Sequence, residues 1–179
     1  MNKVVLIVFL ILSAAPLFAG SSPEAAGVQV VGDYKRVETG DIWLEWRIDG
    51  DRLDFRMSGP TTGWIAVGFD PVRAMQGANI VLVSVVNGEV SARDDYGVGM
   101  FVHAPDVERG GTNDVAVIGG SESAGRTAVE LSIPLDSGDE YDSPLAAGET
   151  HKIIWAYGQN NDDEFRRKHV ARGSFEVEL

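Results

Sequence analysis

Ile42-Trp-Leu-Glu-Trp-Arg-Ile-Asp-Gly-Asp-Arg-Leu-Asp-Phe-Arg-Met57 decides the fold class. Ile42, Leu44, Trp46 and Ile48 alternate with Trp43, Glu45 and Arg47. After Asp49-Gly50, Leu53, Phe55 and Met57 alternate with Arg52, Asp54 and Arg56. Period two puts each set on its own face of a strand. Asp-Gly supplies the positive φ that a tight hairpin turn needs. A second hairpin centres on Asn87-Gly88, flanked by Ile80-Val-Leu-Val-Ser-Val-Val86 and Glu89-Val-Ser-Ala-Arg93. Between the two, Gly63-Trp-Ile-Ala-Val-Gly-Phe69 is almost wholly apolar, as a strand dry on both faces would be.

Further strands are expected over 114–118, 126–133, 152–157 and 174–179, and a loop over 119–125. No window gives a long amphipathic helix; short helical pieces fit 71–76 and 161–168. About ten strands separated by turn signals predict an all-β, single-domain antiparallel β-sandwich, immunoglobulin-like. No repeat and no interdomain linker interrupt it.

The chain has 179 residues, enough for one domain with a sizeable core. Zero Cys excludes disulfides, thiolate metal sites and covalent c-type haem attachment. A net charge of −12 argues against a nucleic-acid partner, which needs Lys and Arg. Residues 1–20 read as a signal peptide: Lys3, the apolar run Val4 to Leu12, then small residues to Ala19. The run is short for a membrane span. Residues 21–34 read as a leader and 35–179 as the folded domain. The expected location is periplasmic or secreted, with no membrane span after signal cleavage.

Several chemistries lack their motifs. There is no P-loop, no dinucleotide glycine fingerprint, no Gly-x-Ser-x-Gly and no His-Glu-x-x-His. His103, His151 and His169 are too scattered for a local zinc motif. Asn160-Asn-Asp-Asp-Glu164 lacks the spacing of a calcium loop and reads as a solvated loop. Asp94 and Asp95 point opposite ways on a strand, which disfavours an acid–base pair. Met75 sits in a connection between strands, and His169 among charges just before the last strand. A thioether and an imidazole together can ligate haem iron. Their separation in sequence carries no assignment: each is equally a gap-filling Met or a surface His.

Four blocks add a resemblance. Gly63-Trp-Ile-Ala-Val-Gly-Phe69, Met75-Gln-Gly-Ala-Asn79, Arg93-Asp-Asp-Tyr96 and His169-x-x-Arg172-Gly173-Ser-Phe175 stand in the order seen in DOMON domains. The chain resembles that family over roughly residues 35–179. The resemblance implies a β-sandwich that binds b-type haem or a sugar. Its haem branch is similar to the cytochrome domain of cellobiose dehydrogenase, whose Met and His ligands fall here on Met75 and His169. A branch resembling the haem subunit of ethylbenzene dehydrogenase uses Met with Lys, which keeps Lys168 open. Asn79 stands where the family often has Asp. The implied protein is an exported electron carrier with non-covalent haem b, not an enzyme in itself, working with a separate redox partner protein. Arg172 would pair with a propionate or face solvent; Trp64 and Tyr96 would touch the ring edge or lie in the core. The alternative is a sugar or small-ligand module with Trp43, Trp155 and Tyr157 as a stacking platform.

Overall fold

The computed structural model describes residues 27–179. The signal-peptide reading of residues 1–20 lies outside the described residues. Twelve strands are present: β1 (Gln29–Val31), β2 (Tyr34–Thr39), β3 (Ile42–Asp49), β4 (Arg52–Gly59), β5 (Ile65–Phe69), β6 (Asn79–Val86), β7 (Glu89–Gly99), β8 (Val102–Pro105), β9 (Ala116–Ser123), β10 (Arg126–Pro134), β11 (Thr150–Tyr157) and β12 (Ala171–Glu178). They form two antiparallel six-stranded sheets, β1-β2-β3-β4-β10-β9 and β12-β11-β5-β6-β7-β8. The fold is the expected sandwich, with two strands more than the turn signals give. Among the described residues no helix is long and apolar enough to cross a membrane.

The alternating residues of the opening stretch fill the space between the sheets. Leu44, Trp46, Leu53, Phe55 and Met57 meet Leu131 and Ile133 from β10, and Ile65, Val67, Phe69, Val81, Val83 and Ile153 from the second sheet. Phe55 and Phe69 contact edge to face across the gap, with ring centroids 6.0 Å apart. Each fully buried aliphatic or aromatic side chain contributes about 1.5–3 kcal/mol, so this layer dominates the stability.

Both hairpins form. In the second, Val86 pairs with Glu89, leaving Asn87 at φ 54 and Gly88 at φ 83. In the first, Asp49 pairs with Arg52, so the two-residue loop is Gly50-Asp51 rather than Asp49-Gly50. Gly50 alone takes positive φ there, the pattern of a type II′ turn.

The remaining differences are of pairing and cover. β1 and β2 join the first sheet, with Gln29 opposite Arg36, so pairing begins inside the stretch read as leader. The strand expected at 114–118 runs instead over Ala116–Ser123, through much of the expected loop. Its backbone pairs with β10, and Gly120 lies against Val90: an added Cβ would come within 2.8 Å of that side chain. Neither expected helix forms. Val72 N–H donates to Gln76 O at 2.8 Å, closing a tight loop instead. Over 161–168 the chain turns at Asn161 and Phe165, both at positive φ. A single 3-10 turn, Asp106–Glu108, is the helix among the described residues.

Leu131→Ala removes a wholly buried side chain and is expected to lower stability by about 2–5 kcal/mol. Gly88→Ala forces a Cβ into the left-handed region and is expected to lower it by about 1–2 kcal/mol. Urea denaturation of the two variants measures both; a larger loss at Gly88 would contradict this ranking.

Candidate functional site

The outer face of the second sheet is also apolar. Antiparallel register sets Ala156, Ala66 and Leu82 abreast on β11, β5 and β6, with Ile154, Gly68 and Ile80 in the next row. Ala66, Ile80 and Leu82 are buried with Trp64 and Ala78, and Met75, Ile154, Ala156 and Phe165 pack against them. Irregular segments cover this face: residues 70–78, the β7–β8 turn and residues 158–170. Between sheet and cover lies a cavity of about 660 Å³, within the ~300–1,000 Å³ usual for small-molecule sites. Ala66, Gly68, Ile80 and Leu82 form its floor, while Met75, Met100, His103 and His169 also line it. Lys152, Arg166, Arg167, Lys168 and Arg172 line it too, and all five are exposed.

The structure therefore brings Met75, His169, Arg172 and Trp64 to one cavity across the length of the domain. Lys168 lines the same cavity. Tyr96 does not line it. On β7, residues 93 and 95 share the cavity side and 94 and 96 the opposite one, and the Tyr96 ring packs on Tyr141 with centroids 5.4 Å apart. The expected contact of Tyr96 with a ring edge is thereby withdrawn. The aromatic platform is also not assembled: Trp155 and Tyr157 stack in the second sheet, whereas Trp43 lies in the first under Arg36. Met100 and His103 join the site through the β7–β8 turn, and no local pattern in the sequence marks them.

Backbone contacts hold the Met75 loop in place. Ala78 N–H donates to Met75 O at 3.1 Å, and Gly77 N–H to Gly97 O at 2.8 Å. Gly97 N–H donates to Ala78 O at 2.9 Å. A Cβ on Gly97 would lie 1.7 Å from Met75 O, so only glycine admits this approach. Ala74, beside Met75, adopts φ 55, an unfavourable conformation for a residue with a Cβ. Two further glycines seat the tryptophans: a Cβ at Gly158 would meet Trp64 Nε1 at 2.4 Å, and one at Gly173 would meet Trp155 Cζ2 at 2.5 Å.

The electrostatics favour a neutral imidazole at His169. Burial, then the charges of Arg172 and Lys168, hold it below the ordinary histidine range. The Arg172 guanidinium donates to His169 Nε2 at 3.4 Å, so that nitrogen carries a lone pair. His103 is backed differently. Its Nδ1 lies 2.5 Å from Asp95, which also accepts from Arg93 Nε at 2.6 Å and Nη2 at 2.8 Å. Burial pushes the Asp95 carboxyl up, but the hydrogen bonds from His103 and Arg93 outweigh it and keep the group ionised.

On the opposite face of β7, Asp94 meets other carboxylates. One oxygen from each of Asp94, Asp114 and Asp142 lies within 4.8 Å of the others. Burial, reinforced by Asp142, pushes Asp94 up to about 8. Asp106, wholly buried, is pushed up to about 7 by burial and by Asp142 and Asp139. The adjacency of Asp94 and Asp95 reveals the opposed directions but not these partners, which come from two long connections.

Gly97→Ala is expected to displace the Met75 loop and to lower stability by about 1–3 kcal/mol, while Ala74→Gly should raise it by about 1 kcal/mol; thermal melts decide both. Asp94 gives a pH dependence of fixed sign. Between pH 4 and its folded value of about 8, the folded chain keeps a proton that the unfolded chain has released. Stability in EDTA must therefore fall as pH rises through this window, and Asp94→Asn should flatten the slope. A stability that rises over the same range in the native chain and not in the variant contradicts the assignment.

Comparison with known proteins is consistent with this architecture. The DOMON domain family matches residues 38–158. DBH-like monooxygenase protein 1 of Mus musculus is 30% identical over 143 residues, covering 78% of this chain and 22% of that protein. The chain thus spans about a fifth of the length of that relative. The cytochrome domain of Myriococcum thermophilum cellobiose dehydrogenase superposes with a TM-score of 0.62 at 8% identity, covering 87% of this chain and 88% of the other. The cytochrome b domain of Coprinopsis cinerea pyranose dehydrogenase gives 0.57 at 12% identity, with 76% and 75% covered. At such identities these two likenesses are of fold. Sandwich, motif order and the extent of the family match converge on one conclusion: the chain belongs to the DOMON domain family.

Proposed function

We propose that the chain is an exported haem b electron carrier whose iron is held by Met75 and His169. The observation that carries this reading is the shared cavity: a thioether and a neutral imidazole, distant in sequence, line one apolar-floored space. The chemistry such a haem supplies when bound is one-electron uptake and release at iron. The residues present fit the group. Ala66 and Gly68 leave the floor flat, Ile80 and Leu82 keep it dry, and exposed Arg172, Arg167 and Lys168 suit two propionates. Iron held by both Met75 and His169 would be suited to electron transfer rather than to binding oxygen or substrate, and the thioether would raise the midpoint potential.

The fold likeness to cytochrome domains of two dehydrogenases supports the same reading. A separate redox protein would supply or accept the electron. The chain carries a net charge of −12, yet the margin of the cavity is cationic. The acidic bulk steers a basic partner at long range, and the local rim sets which edge of the haem it meets. His103 is a second imidazole in the same wall, fixed through Nδ1 by Asp95, and is the competing ligand that the test must separate.

Purified chain titrated with hemin should give a Soret band with sharp reduced α and β bands. Bound hemin at about a hundred times its Kd should add ~2.7 kcal/mol to stability. Met75→Ala and His169→Ala should each abolish the low-spin spectrum, and Lys168→Ala should retain it. A spectrum lost in His103→Ala but kept in His169→Ala reassigns the ligand, and a chain that takes up no hemin sinks the proposal. For export, expression from residue 1 should yield a periplasmic or secreted product lacking about the first 20 residues, read by N-terminal sequencing.

A further inference from the structure

We infer that Asp94, Asp114 and Asp142 form a Ca²⁺ site that staples two long connections to the second sheet. The site lies across β7 from the cavity and does not depend on the haem reading. Its oxygens come from three separate places: β7, the connection preceding β9, and the loop between β10 and β11. Ligand oxygens about 2.4 Å from a shared Ca²⁺ lie no more than about 4.8 Å apart. The three carboxylates meet that spacing.

The second observation is a set of buried oxygens with no partner. Asp94 is 2% exposed; its Oδ2 accepts the Asp114 N–H at 3.1 Å and its Oδ1 accepts nothing. Asn79, 5% exposed, donates Nδ2 to Asp142 Oδ1 at 2.5 Å and leaves its own Oδ1 unpaired. Asp106 is fully buried with both carboxylate oxygens unpaired. An unsatisfied buried carboxylate oxygen is costly, and several facing one another are costlier. The Arg109 charge offsets this at Asp106 only in part. A divalent cation removes both penalties at once.

The donor set selects the metal class. It is all oxygen, from carboxylates with an amide beside them, and contains no imidazole or thiolate among the three. Such sets suit Ca²⁺, Mg²⁺ or Mn²⁺ rather than zinc or copper. Mg²⁺ keeps several waters in a strict octahedron, whereas Ca²⁺ accepts irregular carboxylate cages. The burial of Asp94 favours Ca²⁺.

The surroundings are already organised for such a staple. Asp139 accepts the Thr112 N–H at 2.6 Å, tying the two connections together. Tyr141 Oη donates to Arg109 O at 3.0 Å, and Ser137 Oγ to Asp142 Oδ2 at 2.7 Å. In a chain without cysteine, an ion here would do for these loops what a disulfide does elsewhere.

The test uses the full mature chain, stripped with EDTA and then titrated with CaCl₂. Thermal melts should rise by several degrees with Ca²⁺ and much less with equal Mg²⁺. Tb³⁺ should bind with luminescence sensitised through Tyr141 and Tyr96, and Ca²⁺ should compete it away. Asp142→Asn and Asp94→Asn should each weaken Ca²⁺ binding about 10–100-fold, with circular dichroism confirming the fold. Two variants guard against either one failing to fold. If Ca²⁺ moves neither the melt nor the Tb³⁺ signal of the native chain, the inference is wrong. It is equally wrong if both variants bind Ca²⁺ as the native chain does.

Discussion

The constraint on which this molecule depends is that the central strands β5 and β6 of the second sheet are buried on both faces. β5 is buried at every position, from Ile65 to Phe69. One face packs against the other sheet in the usual way. The other has no second sheet, and antiparallel sheets normally give that side to water. Here it is covered by three irregular segments, which carry Met75, Met100 and His169, while His103 stands beside them on β8. A cover laid on a sheet needs close approach: Gly97 admits the Met75 carbonyl and Gly158 the Trp64 ring. It also carries strain, visible in the positive φ of Asp70, Ala74 and Phe165. Such outliers persist where their surroundings over-determine them, and they gather at binding sites.

Charge is sorted by the same sheet. Along β7 the parity of adjacent residues sends Asp95 to the cavity side and Asp94 to the opposite side. Asp95 finds Arg93 and His103, keeps its charge and orients an imidazole. Asp94 is pushed towards neutrality by burial, reinforced by Asp142, with no cation among the described residues to oppose it as Arg93 does at Asp95. Burial pushes both carboxyls up, and their different partners decide which one stays ionised. Five exposed cations, Lys152, Arg166, Arg167, Lys168 and Arg172, stand at the cavity margin of a strongly acidic chain and set a local positive field there.

The legible part of the fold was its local part. Both hairpins declare themselves through period two and turn residues, because those signals act over a few positions. β9 was hidden because backbone pairing with β10 holds it, and its Gly and Ser residues bury little. The segments at 71–76 and 161–168 resemble short helices in composition but are shaped by the sheet beneath them. In the site, the pairing of Met75 with His169 was readable through family resemblance and not through spacing. Tyr96 belongs to a block that carries the family resemblance, yet strand parity turns it towards Tyr141. The carboxylate cluster was invisible, since its members come from β7 and two connections that only the folded chain brings together.

Placing ligands on the cover instead of on the strands has a chemical consequence. A side chain on β5, β6 or β11 is fixed by hydrogen bonds on both sides of its strand, and the floor uses this rigidity for Ala66, Gly68 and Ala156. A side chain on the cover is fixed by fewer bonds: Met75 through its own loop and Gly97, His169 through Val170 N–H to Tyr157 O at 2.9 Å. The floor is therefore the more firmly bonded part of the cavity, and Met75 and His169 stand on its less firmly bonded part. A planar, largely apolar molecule fits that division, because its face needs an unyielding flat surface and its centre needs donors that close upon it. A sugar needs the reverse, with hydrogen-bonding groups held rigidly around its edge. Here the aromatic residues that would stack on a sugar are split between opposite sheets.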